Sequence, residues 1–381
     1  MSPILTHLMA ALAPPILLLG WRCARAVLRE REFVADFWRH QTLESLEKTR
    51  TLEADGLPPL LGVVEEHWAA KGTMEALALC VEAGLFDFLH RNSSATVEEL
   101  ADFIDLPVRL VRASVEVLLA VGVLQSQGTG YALTAAGRLY LLEESPLFDA
   151  WLPPLASARR MLAGLRSRVL RKSAEKWSAG QGHKQQRWAI GMHRISFPLG
   201  FALHRTGLLP DSGKVLDVAG GAGSVCIALA LKNPALQLHM LELAGSVKVA
   251  RRLISQYRVS ERVRCTVADM FQDEWPGDCD VVLFTNIFHD WDDERCRVLA
   301  RKAYGALRRG GKVILQEALL HDERPGPLWT AQFSITMALG MQGRQFRGRE
   351  LVALLGEAGF SKITIHPLLG YYSAVVGRRE T

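Results

Sequence analysis

The six cysteines, Cys23, Cys80, Cys226, Cys265, Cys279 and Cys296, include no CxxC pair. That argues against zinc-ligand spacing and a disulfide framework, and fits reduced, mostly buried thiols in a cytoplasmic protein. No GK[ST] follows any glycine-rich turn, so P-loop chemistry has no footing. Internal repeats and long low-complexity tracts are missing too. The excess of positive charge is small, a formal +5 over 381 residues, and implies no polyanion partner by itself. What remains is 49% apolar and 22% charged, the composition of a core-forming chain of two or three domains.

One apolar run stands out, "PILTHLMAALAPPILLLGW" at 3–21, followed by Arg22, Arg25 and Arg29. It has no basic leader region or cleavage site of a signal peptide. Pro14-Pro15 would interrupt a membrane-spanning helix. Two readings stay open for this 1–63 extension: a helical hairpin packed on a partner subunit, or an interfacial helix in peripheral membrane contact. The second would make a cytoplasmic protein membrane-associated.

Residues 64–145 read as helices and a small hairpin. "GTMEALALCVEAGLFDFLH" from Gly72 is apolar at helical spacing. Thr96 and Glu99 form a capping box, and Asp105 and Pro107 read as start signals of the next helix. "LQSQGTGYALTAAG" turns on Gly128–Gly130. Together these predict a winged-helix unit. Between Thr96 and Tyr140 it carries five acids against three bases. That balance is wrong for a phosphate-binding face, so nucleic acid is not the expected partner and a dimerisation or pocket role is. Residues 146–206 follow as a helical connector with pocket helices. The basic stretch 157–187 within it suits a solvated linker or attraction to anions.

From residue 207 onward strands and helices alternate: "KVLDVAGG", "LQLHMLEL", "VRCTVADM", "CDVVLFTNIF" and "KVILQEAL" are the strands. The expected fold is α/β, a Rossmann-like, doubly wound, mostly parallel sheet with an antiparallel end, its ligand beyond the carboxyl ends of the strands. Gly220, Gly221 and Gly223 form the first βα turn, where backbone N–H groups are free. Asp217 precedes the glycines, a poor place for an anion if a pyrophosphate binds there and a good one for a ligand with an ammonium and a sulfonium. Glu242 ends the next strand, 25 residues after Asp217, and can accept from both ribose hydroxyls. In "ADMF", Asp269 can accept from an exocyclic amine, while Met270 can pack on a purine. This series suits S-adenosylmethionine (SAM) better than a nicotinamide dinucleotide.

The motifs "LDVAGGAG", "LEL", "ADMF", "HDWDDE", "GGKVILQEALL" and "LLGEAGF" resemble those of the class I small-molecule O-methyltransferases, which include the caffeate, acetylserotonin and bacterial natural-product enzymes. The resemblance covers the chain from about residue 66. It implies a homodimer, SAM as cofactor and a hydroxylated, aromatic or hydrophobic small-molecule acceptor; no metal is expected at His289, because no second His or Cys lies at ligand spacing. It places Phe271 and Trp291 beside the cofactor and makes His289 the general base. The chemistry agrees: a phenol of pKa near 10 is only about one part in a thousand ionised at pH 7, and a positioned imidazole adds about 10²–10⁴ in rate. Without the resemblance, His289 could equally be a turn histidine. Glu317 matches the family's supporting glutamate. Gln345 stands where a second glutamate is usual, able to hydrogen-bond the ring but not to neutralise it. Ala219 replaces a first glycine, and Thr285 or Asn286 occupies the region of a basic cofactor contact. Asp290 and Asp292 read as helix N-terminal acids. Met192, Phe197, Phe333, Met337 and Met341 are the acceptor-pocket candidates, against ordinary core. A SAM-binding protein with hydroxylating or decarboxylating chemistry is the alternative; a winged-helix regulator is a third reading.

Overall fold

A computed structural model describes residue 38 and residues 62–142, 144–145, 162–163 and 182–380. The run 3–21 and most of the basic stretch 157–187 fall outside the described residues. Among the described residues no helix is long and apolar enough to cross a membrane.

The helical pattern from Gly72 belongs to two helices, α1 (Gly62–Glu82) and α2 (Leu85–Asn92). Gly84 divides them, with φ 74° in the left-handed region that stops a helix. The capping box opens α3 (Val97–Ile104): Thr96 Oγ1 accepts from the Glu99 N–H at 3.2 Å, and Glu99 Oε2 accepts from the Thr96 N–H at 2.8 Å. Asp105 differs from its expected role. It ends α3 at φ 52°, its N–H donating to Ala101 O, and Pro107 is the N-cap of α4 (Val108–Ala120). The wing is the antiparallel pair β1 (Leu124–Gln127) and β2 (Gly130–Leu133), with Gly128 at φ 60° in the turn, and α5 (Ala135–Leu141) follows.

Helix α6 (Gly182–Arg205) leads into β3 (Gly213–Val218), α7 (Ser224–Lys232), β4 (Leu236–Glu242), α8 (Ala244–Gln256), β5 (Val263–Val267) and β6 (Cys279–Thr285). Then come α9 (Asp293–Ala306), β7 (Leu307–Ala318), α10 (Leu328–Gly340), α11 (Gly348–Glu357) and the hairpin β8 (Ser361–Pro367) and β9 (Tyr372–Arg378). The strands form one sheet in the order β5-β4-β3-β6-β7-β9-β8. Strands β3 to β7 are parallel; β9 runs antiparallel to β7 and to β8. Helices cover both faces, so inner strands are apolar on both: Val281 and Leu283 of β6 pack toward one core, Val282 and Phe284 toward the other.

The two units share a core. Leu110, Leu118 and Phe86 of the winged helix cluster with Leu320 and with Ala331, Ile335 and Ala338 of α10. A helix from the catalytic half thus completes the winged-helix interior and fixes how the units meet.

Candidate active site

The chain enters the sheet at β3, builds outward through β4 and β5, then returns to place β6 on the other side of β3. The crevice at this reversal is where doubly wound sheets bind ligands. The β3 end and the β6 end are its two lips.

On the β3 lip, Asp217 is 1% exposed. Its Oδ2 accepts from Cys226 Sγ at 3.4 Å, and its Oδ1 has no partner among the described residues. Burial raises the carboxyl to about 7 against the Cys226 hydrogen bond, with the charge of Glu242 adding to the rise. A Cβ at Gly220 would stand 2.7 Å from Asp217 Oδ2, so only glycine lets the turn fold back over that carboxylate. Gly221 and Gly223 take φ 59° and 72°. Glu242 braces the turn from β4: Oε2 accepts from the Gly221 N–H at 2.8 Å and Oε1 from the Leu243 N–H at 2.6 Å. Burial holds its carboxyl above the usual range, against the pull of these two donors. Beyond β5, Asp269 Oδ1 accepts from the Phe271 N–H at 2.8 Å, which shapes the "ADMF" turn. Phe271 meets Trp291 edge to face at 4.8 Å, and Met270 packs in the same cluster. The glycine turn, Glu242, Asp269, Met270, Phe271 and Trp291 therefore all follow the carboxyl ends of β3 to β6, as the motif series implied.

On the β6 lip, Asn286 takes φ 57° and is 4% exposed, with both side-chain amide atoms unpartnered among the described residues. Before it, Thr285 Oγ1 donates to Gln316 Oε1 at 2.7 Å, and Gln316 Nε2 donates to Leu199 O at 3.2 Å, tying α6 to the sheet. His289 follows in a single 3-10 turn and is 2% exposed. Its Nδ1 faces two groups from distant segments, Glu317 Oε2 at 3.1 Å and Gln345 Nε2 at 2.9 Å. When Nδ1 carries the proton, Glu317 accepts it; when it does not, Nδ1 accepts from the Gln345 amide. Glu317 is itself fixed, since Oε1 accepts from the N–H groups of Ile287 at 3.0 Å and Phe288 at 2.9 Å. Gln345 is fixed by its N–H donating to Ser334 Oγ at 3.0 Å. Burial alone would lower the imidazole pKa, but the charge and hydrogen bond of Glu317, the charge of Asp290 and the Gln345 contact outweigh it and raise the ring to about 9.

The two acids of "HDWDD" separate. Asp292 is the N-cap of α9, accepting from the Arg295 N–H at 2.9 Å, as expected. Asp290 is not such an acid: it is a half-buried side chain whose buried Oδ1 lies 3.4 Å from His289 Nε2. Burial raises it to about 7 despite the opposing charge of His289, with Glu317 adding to the rise. No local signal in the sequence distinguishes it from its neighbour.

Of the pocket candidates, Phe333 lies against the His289 ring, edge to face at 5.1 Å. Met337 is one turn further along α10 and Met341 caps its end; both are buried. Met192 is half-buried on α6. Phe197 is committed to the core, its ring against His193, Phe201 and Tyr257. Sequence reasoning missed Trp329, which packs on Phe333 at 5.1 Å and stacks on Tyr371 at 5.2 Å, extending the aromatic wall beside His289.

Fold and crevice together define a class I methyltransferase architecture. The family comparisons agree: residues 196–361 match the O-methyltransferase domain and residues 70–143 the O-methyltransferase dimerisation domain. The chain is 26% identical to a 3-hydroxy-5-methyl-1-naphthoate 3-O-methyltransferase of Streptomyces sahachiroi over 298 residues, 76% of this chain and 86% of that protein. It is 33% identical to the acetylserotonin O-methyltransferase of Gallus gallus over 167 residues, 44% of this chain and 47% of that protein. The fold matches a solved O-methyltransferase family 2 protein from Planctomyces limnophilus, in complex with apigenin, with a TM-score of 0.73 at 22% identity, covering 86% of this chain and 99% of that one. The chain thus carries an O-methyltransferase dimerisation domain followed by an O-methyltransferase domain.

Proposed function

We propose that this O-methyltransferase acts on a hydroxyl of an aromatic small molecule, with His289 as its general base. The carrying observation is the buried imidazole at the β6 end, with Glu317 and Gln345 at Nδ1 and Asp290 3.4 Å from Nε2; raised to about 9, the ring acts as a base in the fraction of molecules whose Nε2 is deprotonated, a fraction that grows with pH. The naphthoate and acetylserotonin relatives support an aromatic acceptor, as does the wall of Phe333, Trp329 and Tyr371.

SAM, when bound, supplies an electrophilic methyl group on a sulfonium. The crevice fits it in one testable respect: Asp217 keeps a buried, unpartnered oxygen beside the glycine turn, the complement of a ligand's ammonium group. Glu242 would hold the ribose hydroxyls, Asp269 the exocyclic amine, and Met270, Phe271 and Trp291 the purine. With SAM bound, His289 Nε2 would take the proton of the acceptor's hydroxyl, leaving that oxygen as the nucleophile toward the methyl group. Glu317 keeps the proton on Nδ1, which leaves the lone pair on Nε2, and its charge offsets the imidazolium that forms. In that tautomer Nδ1 no longer accepts from the Gln345 amide, which adds no charge beside the ring.

The test is His289→Gln with labelled SAM and a panel of phenolic acceptors. Methyl transfer is expected to fall about 10²–10⁴-fold, with SAM binding retained; transfer at the wild-type rate would remove His289 from this role. We also assign the winged-helix unit to a homodimer, checked by sedimentation. Cosedimentation of the full chain with lipid vesicles tests peripheral membrane contact through residues 3–21.

A further inference from the structure

A cleft of about 360 Å³ opens between the winged helix and the catalytic domain. Its walls come from α4, the wing, the segment after β7 and the stretch 344–350. Six arginines line it, at 109, 112, 324, 344, 347 and 349, with four acids, at 116, 322, 323 and 350. These walls are unlike those of an apolar acceptor pocket.

Most of these charges cancel. Arg347 pairs with Glu116 at 2.6 Å, Arg344 with Glu350 at 3.0 Å, Arg349 with Glu323 at 3.7 Å, and Arg112 with Glu98 outside the cleft at 2.9 Å. Asp322 accepts from the Arg349 N–H at 3.0 Å. Two guanidinium groups have no carboxylate partner among the described residues, Arg109 and Arg324. Arg109 is half-buried and among the described residues donates only to Met341 O, with most of its donors left over there. A partly desolvated guanidinium without an anion is costly, and burial pulls its pKa below the ordinary value. The cleft floor includes Gln345, which is 1% exposed with its Oε1 unpartnered.

Gln345 also locates the cleft relative to the chemistry. It meets His289 at Nδ1, whereas the acceptor's proton goes to Nε2 on the other side of the ring. In the proposed mechanism the cleft therefore lies on the Nδ1 side of the ring and the acceptor on the Nε2 side.

We propose that this cleft is a binding site for a small organic oxyanion, a carboxylate or a phosphate, held by Arg109 and Arg324. Its occupant clamps α4 of the winged helix to the 341–347 segment that carries Gln345, and places negative charge on the side of the ring where Gln345 offers none. The binding claim stands apart from the role of His289, because it is read without turnover.

The experiment is calorimetric titration of the full-length protein with inorganic phosphate and, separately, succinate, at constant ionic strength balanced with sodium chloride. Saturable one-to-one binding of at least one probe is expected, and which probe binds identifies the phosphate or carboxylate source. Affinity should fall at least about tenfold in Arg109→Gln and in Arg324→Gln, the loss of a charge-assisted contact, and stay unchanged in Arg297→Gln, whose guanidinium pairs with Glu357 away from the cleft. Arg324 is exposed, so its variant keeps the test valid even if Arg109→Gln folds poorly. Heats that follow ionic strength alone, or equal affinity in Arg324→Gln and wild type, would overturn the proposal.

Discussion

The two lips of the crevice are built alike, and we assign them opposite work. Strands β3 and β6 lie side by side and parallel, and each runs into a non-glycine residue in the left-handed region, Ala219 and Asn286, both at φ 57°. Each then presents a buried titratable group. On the β3 lip it is Asp217, an acid with an oxygen left unpartnered among the described residues. On the β6 lip it is His289, whose Nδ1 faces a carboxylate and an amide at 3.1 and 2.9 Å. The backbone geometry sets only where a group stands. Whether the lip receives a cation or takes a proton follows from what the neighbouring strands bring to it.

Substitutions can break or sharpen this contrast. The largest effect is expected for His289→Gln, which should abolish most turnover while leaving SAM affinity nearly intact. Asp217→Asn should do the reverse. Loss of a charged hydrogen bond costs about 1.5–3 kcal/mol, or roughly 10–150-fold in SAM affinity by calorimetry, with a smaller change in kcat at saturating SAM.

Gln345→Glu would give the β6 lip a second carboxylate. An added anion near the ring favours imidazolium, so the His289 titration, followed by NMR, should move upward from about 9. The acid limb of the rate profile should move with it. An unchanged titration would mean that Gln345 does not couple to the ring's charge.

The lips also bear on stability against pH. His289 is raised in the folded state, so its contribution is fully present below the unfolded value near 6.5 and is lost as pH rises through about 9. Asp217 is a raised acid: the fold favours its protonated form, so it costs stability as pH rises from about 4 to about 7. Melting temperatures should therefore decline across both windows from these groups, and Asp217→Asn should flatten the lower one. The smallest effect is expected for Ala219→Gly. Relieving a left-handed alanine should stabilise the protein by about 1 kcal/mol, read by denaturant unfolding.

Much of the crevice was legible in the chain because its signals are local. Gly220 is followed closely by Gly221 and Gly223, and "ADMF" and "HDWDD" each occupy a single turn. The capping box at Thr96 and Glu99 was legible for the same reason. Phe197 and Phe333 were not distinguishable: both sit in apolar helical stripes, and only packing sends one ring to Tyr257 and the other to His289. Asp290 and Asp292 are equally acidic in sequence, yet one turns its Oδ1 to the imidazole and the other caps a helix. Asp105 looked like a helix start and proved to be a helix end, because the left-handed turn after α3 takes it before Pro107 can begin α4.

By itself the sequence determined the alternation of strands and helices, the glycine turn, the order of the motifs and therefore the crevice to which we assign the methyl donor. These depend on residues within one turn or one strand of each other, where period and φ preference act directly. The tertiary structure alone decided what surrounds His289. Gln345 lies 56 residues away and Glu317 on the next strand, and they reach Nδ1 only because β7 pairs with β6 and α10 carries the chain back. The arginine cleft has the same origin, since its two walls meet only where α10 completes the winged-helix core.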